Sequence, residues 1–197
     1  MLDLTPRLLR KAFRVLVAAV AIAVVVSSPW TAADDAPVLI GAVIKVIDGD
    51  TITVQLQSGP IKVRLDAIDA PESNQPGGVA ATAALARLVA NQSVELDVTT
   101  QDRYERLVAQ VTVNGRSVNE QLVKDGHAWV FRRYARNKDY CVWEHAAREQ
   151  RRGLWALPTK DWIYPSDWRR LRRHQLDTVE DFSHETVAHC VAALGQR

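Results

Sequence analysis

Three carboxylates stand where predicted β-strands begin and end. Asp50 opens a strand-like stretch just after Gly49, Asp69 closes the next such stretch, and Glu72 lies three residues further on. Strands disfavour Asp, so carboxylates gathered at these positions need either solvent or a cation. Antiparallel partners run in opposite directions, so the start of one strand and the end of the next share one end of a hairpin. We therefore expect Asp50 and Asp69 to converge, with Glu72 above them.

Such a cluster of carboxylates favours a bound cation. Neighbouring carboxylates repel one another, and the usual remedies are raised pKa values or a cation. Oxygen ligands with flexible geometry favour a hard ion, Ca²⁺ before Mg²⁺, over zinc. The backbone carbonyl of Ala70 and water would complete the shell around the ion. The sequence therefore predicts a calcium site at this end of the hairpin.

Two arginines add a second kind of chemistry to the predicted cluster. Arg64 lies on the polar face of the second strand, five residues before Asp69, and Arg106 stands at the start of a later strand. A planar guanidinium matches the oxygens of a phosphate, and its charge stabilises the negative charge that grows during phosphoryl chemistry. Turn aspartates and surface arginines are each common by themselves. Their joint arrangement indicates a site for a phosphodiester.

The elements that would position these residues form a small barrel. Residues 61–68 alternate apolar and polar side chains and follow a turn at 58–60, which predicts a hairpin. Hydrophobic periodicity and turn residues predict one or two strands over 43–56, further strands over 61–68, 93–99, 107–113 and 128–131, and helices over 79–91, 118–124 and 138–152. Five short strands with helices between them indicate an α+β fold with an OB-type β-barrel, although periodicity alone also fits other α+β folds.

The first 33 residues have the features of an export signal. A basic region precedes an apolar run over 15–28, and small residues end at Ala33. The run is shorter than the roughly 20 residues that cross a bilayer. We predict cleavage after Ala33 and a secreted or periplasmic protein, or a membrane anchor if 15–33 stays uncleaved. A linker over 34–40, a barrel domain over 41–158 and a basic, helical C-terminal extension over 159–197 would follow.

Charge is unevenly distributed along the chain. Residues 1–33 carry 4 of the 25 basic and 1 of the 23 acidic residues, which leaves 21 against 22 and a formal charge of −1. Residues 132–173 hold 12 Lys or Arg against 5 Asp or Glu, interleaved with Tyr134, Tyr140, Trp143, Trp155, Trp162, Tyr164 and Trp168. A basic, aromatic segment suits a polyanion. The alternative is a solvated helix face beside core aromatics.

Two cysteines, Cys141 and Cys190, remain after the predicted cleavage. In an oxidising compartment they should pair, and closing a loop of about 50 residues stabilises a fold by roughly 4 kcal/mol in the chain-entropy model. A zinc site that adds His145 and His189 is the alternative, with poor ligand spacing at its second half. We take a disulfide as the working prediction.

Five short sequences in order between residues 43 and 157 together resemble the staphylococcal-nuclease (thermonuclease) family: IDGDT, VRLDAIDAPES, DRYERLVAQV, VNEQLVKDGHAWV and AAREQRRGLW. The resemblance implies an OB-type barrel and Ca²⁺-dependent cleavage of DNA and RNA that leaves 3′-phosphates. It also assigns roles by motif position. Asp50, Asp69 and the carbonyl of Ala70 would bind calcium, with Glu72 helping through water, and Arg64 and Arg106 would bind the scissile phosphate.

The resemblance extends to the walls of the implied site. Arg103 and Tyr104 match positions that hold a neighbouring phosphate, and Tyr134 matches one of two aromatic positions near a bound base. The chain departs from the family at the other aromatic position, which is Arg132. It also departs at Glu105, where the family usually has glycine between Tyr and Arg. If that position needs a positive φ, Glu105 costs roughly 1 kcal/mol, and its charge would be free to pair with an arginine.

The expected substrates are therefore DNA and RNA. We expect a monomer without a stable protein partner, which would contact a membrane only through an uncleaved N-terminal segment. One rival is a non-catalytic OB module that binds single strands through its basic, aromatic segment. Such a module has no need for Asp50, Asp69, Glu72 and both arginines together. A second rival is an envelope structural protein, which leaves the carboxylates unexplained.

Overall fold

A computed structural model of the chain describes residues 38–173 and 178–196. The predicted signal segment over 1–33 and most of the predicted linker lie outside these residues. Within the described ranges, no helix is long and apolar enough to cross a membrane. The first strand begins at Leu39, inside the predicted linker, because Leu39 pairs with Leu96 of a barrel strand.

Eight strands and five helices make up the described part of the chain. The strands are β1 (Leu39–Val46), β2 (Thr51–Leu56), β3 (Gly59–Leu65), β4 (Ile68–Asp69), β5 (Ser93–Gln101), β6 (Leu107–Val113), β7 (Arg116–Ser117) and β8 (Trp129–Val130). The helices are α1 (Gly78–Val89), α2 (Val118–Lys124), α3 (Asp139–Glu149), α4 (Pro165–Arg172) and α5 (Val187–Ala193), with 3₁₀ turns at Gly153–Ala156 and Thr159–Asp161.

Five of the strands close into a barrel. They follow the order β3-β2-β1-β5-β6 with antiparallel neighbours, and a parallel pairing of β3 with β6 completes the ring. The parallel contact aligns Val63 with Leu107 and Leu65 with Ala109. The predicted α+β fold with an OB-type barrel is therefore confirmed.

One predicted strand was assigned wrongly, whereas the segment predicted as one or two strands forms two. The segment 43–56 contains parts of two barrel strands, β1 and β2, with a turn between them. Residues 128–131 do not join the barrel, since β8 is two residues long and pairs only with β4. At the edge of β8 that faces away from β4, the backbone N–H of Val130 donates to the carboxylate of Glu144 at 2.7 Å, which occupies a donor that a further strand would need.

Alternating apolar side chains fill the barrel and α1 covers it. The interior holds fully buried side chains from four strands: Ile52, Val54, Val63, Leu65, Leu96 and Val111. Leu85 and Val89 of α1 are buried in the same core. Burying each such aliphatic side chain stabilises the fold by about 1.5–3 kcal/mol. This rigid core holds the ends of β2, β3 and β4 in fixed positions.

A second, aromatic core joins the C-terminal extension to the barrel domain. Trp129 of β8 makes edge-to-face contacts with Trp155, Tyr164 and Phe182, at centroid distances of 4.5, 5.3 and 5.3 Å. The Tyr164 hydroxyl donates to the carbonyl of Val130 at 2.8 Å. The extension is therefore packed on the barrel domain, and α4 begins directly after this contact.

A disulfide fixes the end of the chain. Cys141 of α3 and Cys190 of α5 are bonded, with their Cα atoms 5.8 Å apart. Both sulfurs are used in this bond, so they are not available for the alternative zinc site. Within the predicted helical extension, α5 begins at Val187 because Thr186 caps its N-terminus by accepting from the backbone N–H of His189.

Replacing both cysteines with serine should lower the free energy of unfolding by about 4 kcal/mol, because the bond closes a long loop in the unfolded chain. Urea denaturation of Cys141→Ser/Cys190→Ser beside the oxidised parent measures this difference. Equal stabilities for the two proteins would show that α5 does not depend on the bond.

Candidate active site

The turn before β2 places Asp50 at one end of the barrel. The side chain of Asp48 accepts from the backbone N–H of Asp50 at 3.1 Å and closes a local turn. Gly49 between them packs against Ala70 and Ala81, and an added Cβ would lie 2.6 Å and 2.8 Å from their Cβ atoms. The glycine between the two aspartates is therefore required by the close approach of this turn to the residue after β4 and to α1.

Arg64 connects the first two carboxylates. Its guanidinium lies 3.1 Å from Asp50 Oδ2 and 2.8 Å from Asp69 Oδ1. The same side chain donates to the carbonyls of Leu65 and Ile68 at 3.0 and 2.9 Å. Burial opposes its charge, but Asp50 and Asp69 outweigh that effect and raise the pKa of Arg64. The structure thus brings Asp50, Arg64 and Asp69 together at the expected end of the sheet.

Asp69 is the most buried member of the cluster. Only 1% of its surface is exposed. Desolvation raises the pKa of Asp69 to about 6, although Arg64 acts in the opposite direction. A carboxylate in this state gains from any additional cation in contact with it. Asp50 is held nearby, since its Oδ2 atom accepts from the backbone N–H of Ala70 at 2.8 Å.

Glu72 lies on the loop between β4 and α1. Its backbone N–H donates to the side chain of Gln75 at 3.1 Å. The helix that follows starts against this loop, because a Cβ at Gly78 would lie 1.8 Å from the carbonyl oxygen of Glu72. The glycine at the start of α1 therefore allows the loop to keep Glu72 beside Asp69.

An arginine from the C-terminal extension completes the cluster. Arg169 of α4 places its guanidinium 3.3 Å from Asp69 Oδ2 and 2.5 Å from Glu72 Oε1. In the part of the chain that the structure describes, no three His, Cys, Asp or Glu side chains form a ready-made metal site. The three carboxylates are bridged by guanidinium groups instead. Sequence reasoning did not identify Arg169 individually, and its only signal was the basic segment that contains it.

These groups line a cleft of about 820 Å³. Besides the cluster and Ala70, its walls include most of the predicted nucleic-acid contacts and two arginines that were not predicted individually: Arg103, Tyr104, Arg106, Tyr134, Arg133 and Arg173. Tyr104 and Tyr134 are 63% and 50% exposed. The cleft therefore combines a carboxylate floor with basic and aromatic walls.

Arg106 is held by Asp102 at the wall of the cleft. Its Nε atom donates to Asp102 Oδ2 at 2.7 Å, and its Nη2 atom lies 2.7 Å from the same oxygen. Although burial acts in the opposite direction, hydrogen bonds from Arg106 and from backbone amides lower the pKa of Asp102. A guanidinium has five N–H donors, so three remain for a ligand of the cleft. The partner of Arg106 is thus Asp102, and not Glu105 as the sequence had allowed.

Glu105 adopts the backbone conformation that favours glycine. Its φ is 63° and its side chain is exposed. A side chain in this left-handed region costs of the order of 1 kcal/mol. Glu105 in place of the family's glycine therefore lowers the stability of the fold at this turn.

Contrary to expectation, Arg132 does not lie among the residues that line the cleft. Its side chain is buried beside two carboxylates, Glu144 at 3.3 Å and Glu185 at hydrogen-bond distance. Arg148 contacts the same two carboxylates. The buried Glu144 requires this compensation, because an unpaired carboxylate in the interior is costly. Arg132 therefore holds the C-terminal segment against α3.

Replacing Glu105 with glycine should raise the free energy of unfolding by about 1 kcal/mol, because glycine adopts this φ without strain. Chemical denaturation of Glu105→Gly measures the gain. Glu105→Ala is the matched control, since it removes the charge and keeps the Cβ, and it should gain nothing. An equal gain in both variants would assign the cost to charge.

Replacing Arg132 with methionine should lower the free energy of unfolding by about 3 kcal/mol, because it leaves buried carboxylates short of a partner. The neighbouring Arg133→Met serves as the control and should change stability by less than about 0.5 kcal/mol. Denaturant titration of both variants provides the comparison. A similar loss of stability in both variants would contradict a structural role that Arg132 has and Arg133 lacks.

Comparison with known proteins identifies the family. The profile described as "Staphylococcal nuclease homologue" matches residues 62–157. "Protein ParB" of Escherichia coli is 39% identical over 180 residues, which cover 85% of this chain and 98% of that protein. An "Uncharacterized endonuclease" of Escherichia coli O157:H7 is 39% identical over 127 residues, 63% of this chain and 83% of its own length. The "Probable staphylococcal-like nuclease CAN2" of rice is 38% identical over 115 residues, which cover 57% of this chain and 30% of that protein. The chain therefore belongs to the staphylococcal nuclease family.

Proposed function

We propose that this nuclease is a Ca²⁺-dependent hydrolase of phosphodiester bonds in DNA and RNA, and that it leaves 3′-phosphate ends. One observation carries the proposal: Asp50, Asp69, Glu72 and Arg64 converge on the floor of one cleft whose wall holds Arg106. This arrangement combines the oxygen ligands of a hard cation with guanidinium groups that match a phosphate.

The donor set fits a hard divalent cation. Asp50, Asp69 and the carbonyl of Ala70 would hold the ion, with Glu72 acting through water. All of these donors are oxygens, and Asp69 is a buried carboxylate whose ionised form a cation would stabilise. When bound, the ion would polarise a non-bridging phosphate oxygen and orient the attacking water.

Arg64 and Arg106 would grip the scissile phosphate and stabilise the charge of its five-coordinate transition state. Arg64 is fixed before substrate arrives, because two backbone carbonyls and two carboxylates hold its guanidinium. Arg106 is fixed by Asp102 and keeps donors free for the phosphate. Because these donors are already held in place, little reorganisation is needed during the reaction. Each such donor typically raises the rate by a factor of about 10² to 10³.

Glu72 would orient the water that attacks in line with the departing 5′-oxygen. Its carboxylate lies at the mouth of the cluster, beside the buried Asp69. Because the loop fixes its backbone through Gln75, the carboxylate can meet water without leaving the cleft. Cleavage at the 5′-oxygen leaves the phosphate on the 3′ side.

The walls of the cleft support a substrate range that includes both DNA and RNA. Tyr104 and Tyr134 present exposed rings, and every base offers a face that can stack on them. Arg103 and Arg133 line the same walls and would contact the charged backbone. Stacking and phosphate contacts of this kind do not discriminate between bases or sugars.

Export from the cytoplasm is part of the proposal. Residues 1–33 have the composition of a signal peptide. The bond between Cys141 and Cys190 supports an oxidising destination, since disulfides persist outside the cytosol. We therefore propose that the protein acts in the periplasm or outside the cell.

Cleavage of single-stranded DNA and RNA should require Ca²⁺ and should stop with chelator. Asp50→Asn and Arg106→Gln should each lower kcat by about 10² or more, because each removes one charge from the reacting phosphate or its cation. Arg170→Gln is the matched control, since this arginine does not line the cleft. Gel analysis of end-labelled products, with and without a 3′-phosphatase, measures rate and end chemistry together.

Full activity in chelator would contradict the cation. Retained binding of DNA without cleavage under any condition would instead favour a non-catalytic OB module. Products unchanged by the 3′-phosphatase would contradict the proposed position of cleavage.

A further inference from the structure

Arg169 occupies oxygens that the proposed cation would need. It contacts Oδ2 of Asp69 and Oε1 of Glu72, while Arg64 already holds Oδ1 of Asp69. Calcium binds carboxylate oxygens at 2.3–2.6 Å. A guanidinium and a divalent cation cannot share these same oxygens at such distances without strong repulsion. We propose that Arg169 is a built-in competitor of the cation and sets how tightly the nuclease binds it. This inference rests on the proposed cation-dependent function.

The charges of the cluster favour replacement of Arg169 by the cation over binding of both at the same time. Three carboxylates face the two guanidinium groups of Arg64 and Arg169, which leaves one negative charge. A divalent ion added beside both arginines would reverse the sign of the cluster. An ion that replaces only Arg169 would leave the ion and Arg64 balanced against the three carboxylates. Arg64 is nearly buried, whereas the side chain of Arg169 is 37% exposed and can leave toward solvent.

The helix that carries Arg169 is anchored next to the site. Trp168 donates through Nε1 to the side chain of Asn74 at 3.0 Å, and Gln75 donates to the carbonyl of Ile163 at 2.5 Å. Both contacts join the α4 region to the loop that carries Glu72. With the α4 region anchored to this loop at two points, exchange requires rotation of one long side chain and no movement of α4. The guanidinium therefore stays close by and competes at high local concentration.

Arg169 also lies outside the matched family region. The family profile covers residues 62–157, and α4 begins at Pro165. The carboxylates belong to the barrel and its loop, so the C-terminal extension supplies the competing charge. Cation affinity in this chain is thus set partly by a segment that the barrel does not need for its own closure.

Direct titration of Ca²⁺ by calorimetry, without substrate, tests the proposal. Arg169→Gln should bind Ca²⁺ at least tenfold more tightly than the parent, because glutamine removes the competing charge. Arg169→Lys should bind with intermediate affinity, since one ammonium group cannot bridge both carboxylates as a guanidinium does. The matched control is Arg170→Gln on the same helix, whose arginine pairs with Asp167 at 3.8 Å and, among the described residues, with no other carboxylate, and its Kd should stay within twofold of the parent.

The possible results distinguish a failure of the competitor role of Arg169 from a failure of the proposed cation site. If the parent binds Ca²⁺ and Arg169→Gln binds it equally or more weakly, the competitor role is wrong while the cation site stands. If neither protein binds Ca²⁺ at millimolar concentrations, the proposed cation fails and the competitor role fails with it. Thermal denaturation without Ca²⁺ checks that each variant is folded, and added Ca²⁺ should raise the Tm of Arg169→Gln more than that of the parent.

Discussion

The buried pairing of Arg64 with Asp50 and Asp69 is the interaction on which the site depends. It forms only when β2 and β3 pair in one register, with Thr51 opposite Arg64, and when β4 returns Asp69 to the same end. A slip of one residue would turn Arg64 toward the barrel core and leave both carboxylates without their partner. Removing one member of such a buried group leaves an uncompensated charge, which is far more costly than the pair itself is stabilising. The barrel core and this ion cluster therefore specify the same register.

A second group of buried charges determines where the C-terminal extension lies. Glu144 accepts from the backbone of Val130, and both Glu144 and Glu185 contact the two arginines Arg132 and Arg148. The aromatic core around Trp129 and the disulfide reinforce the same attachment. Because the extension is joined to β8 and α3 at several points, α4 is held at the mouth of the cleft. The barrel and the extension thus contribute opposite charges to one site.

Local patterns predicted the floor of the cleft, and distant pairings decided the rest. Asp50, Asp69 and Arg64 could be placed together because strand direction alone fixes which ends meet. Arg169 could not, since it contacts Asp69 across 100 residues of sequence through a helix whose docking depends on tertiary packing. Arg132 was expected beside a base and faces Glu144 and Glu185 instead, because no local signal shows that these carboxylates are buried. The length of β8 was overestimated for a similar reason, since β8 pairs with the two-residue β4 and the side chain of Glu144 takes the N–H of Val130 on the other edge.

The two arginines proposed to bind phosphate differ in what holds them, and that difference divides their proposed roles. Arg64 is surrounded by four acceptors, so its position is fixed and few of its donors are left for a ligand. Arg106 is anchored through one carboxylate oxygen of Asp102, and three of its five N–H donors remain for a ligand. In the proposed reaction, Arg64 would therefore act on the phosphate mainly through its fixed charge, while Arg106 would offer the hydrogen-bonding geometry that matches two phosphate oxygens. The conformation of the turn at Glu105 then matters through Arg106, since Asp102 and Arg106 are held at its two ends by a backbone hydrogen bond of 3.0 Å.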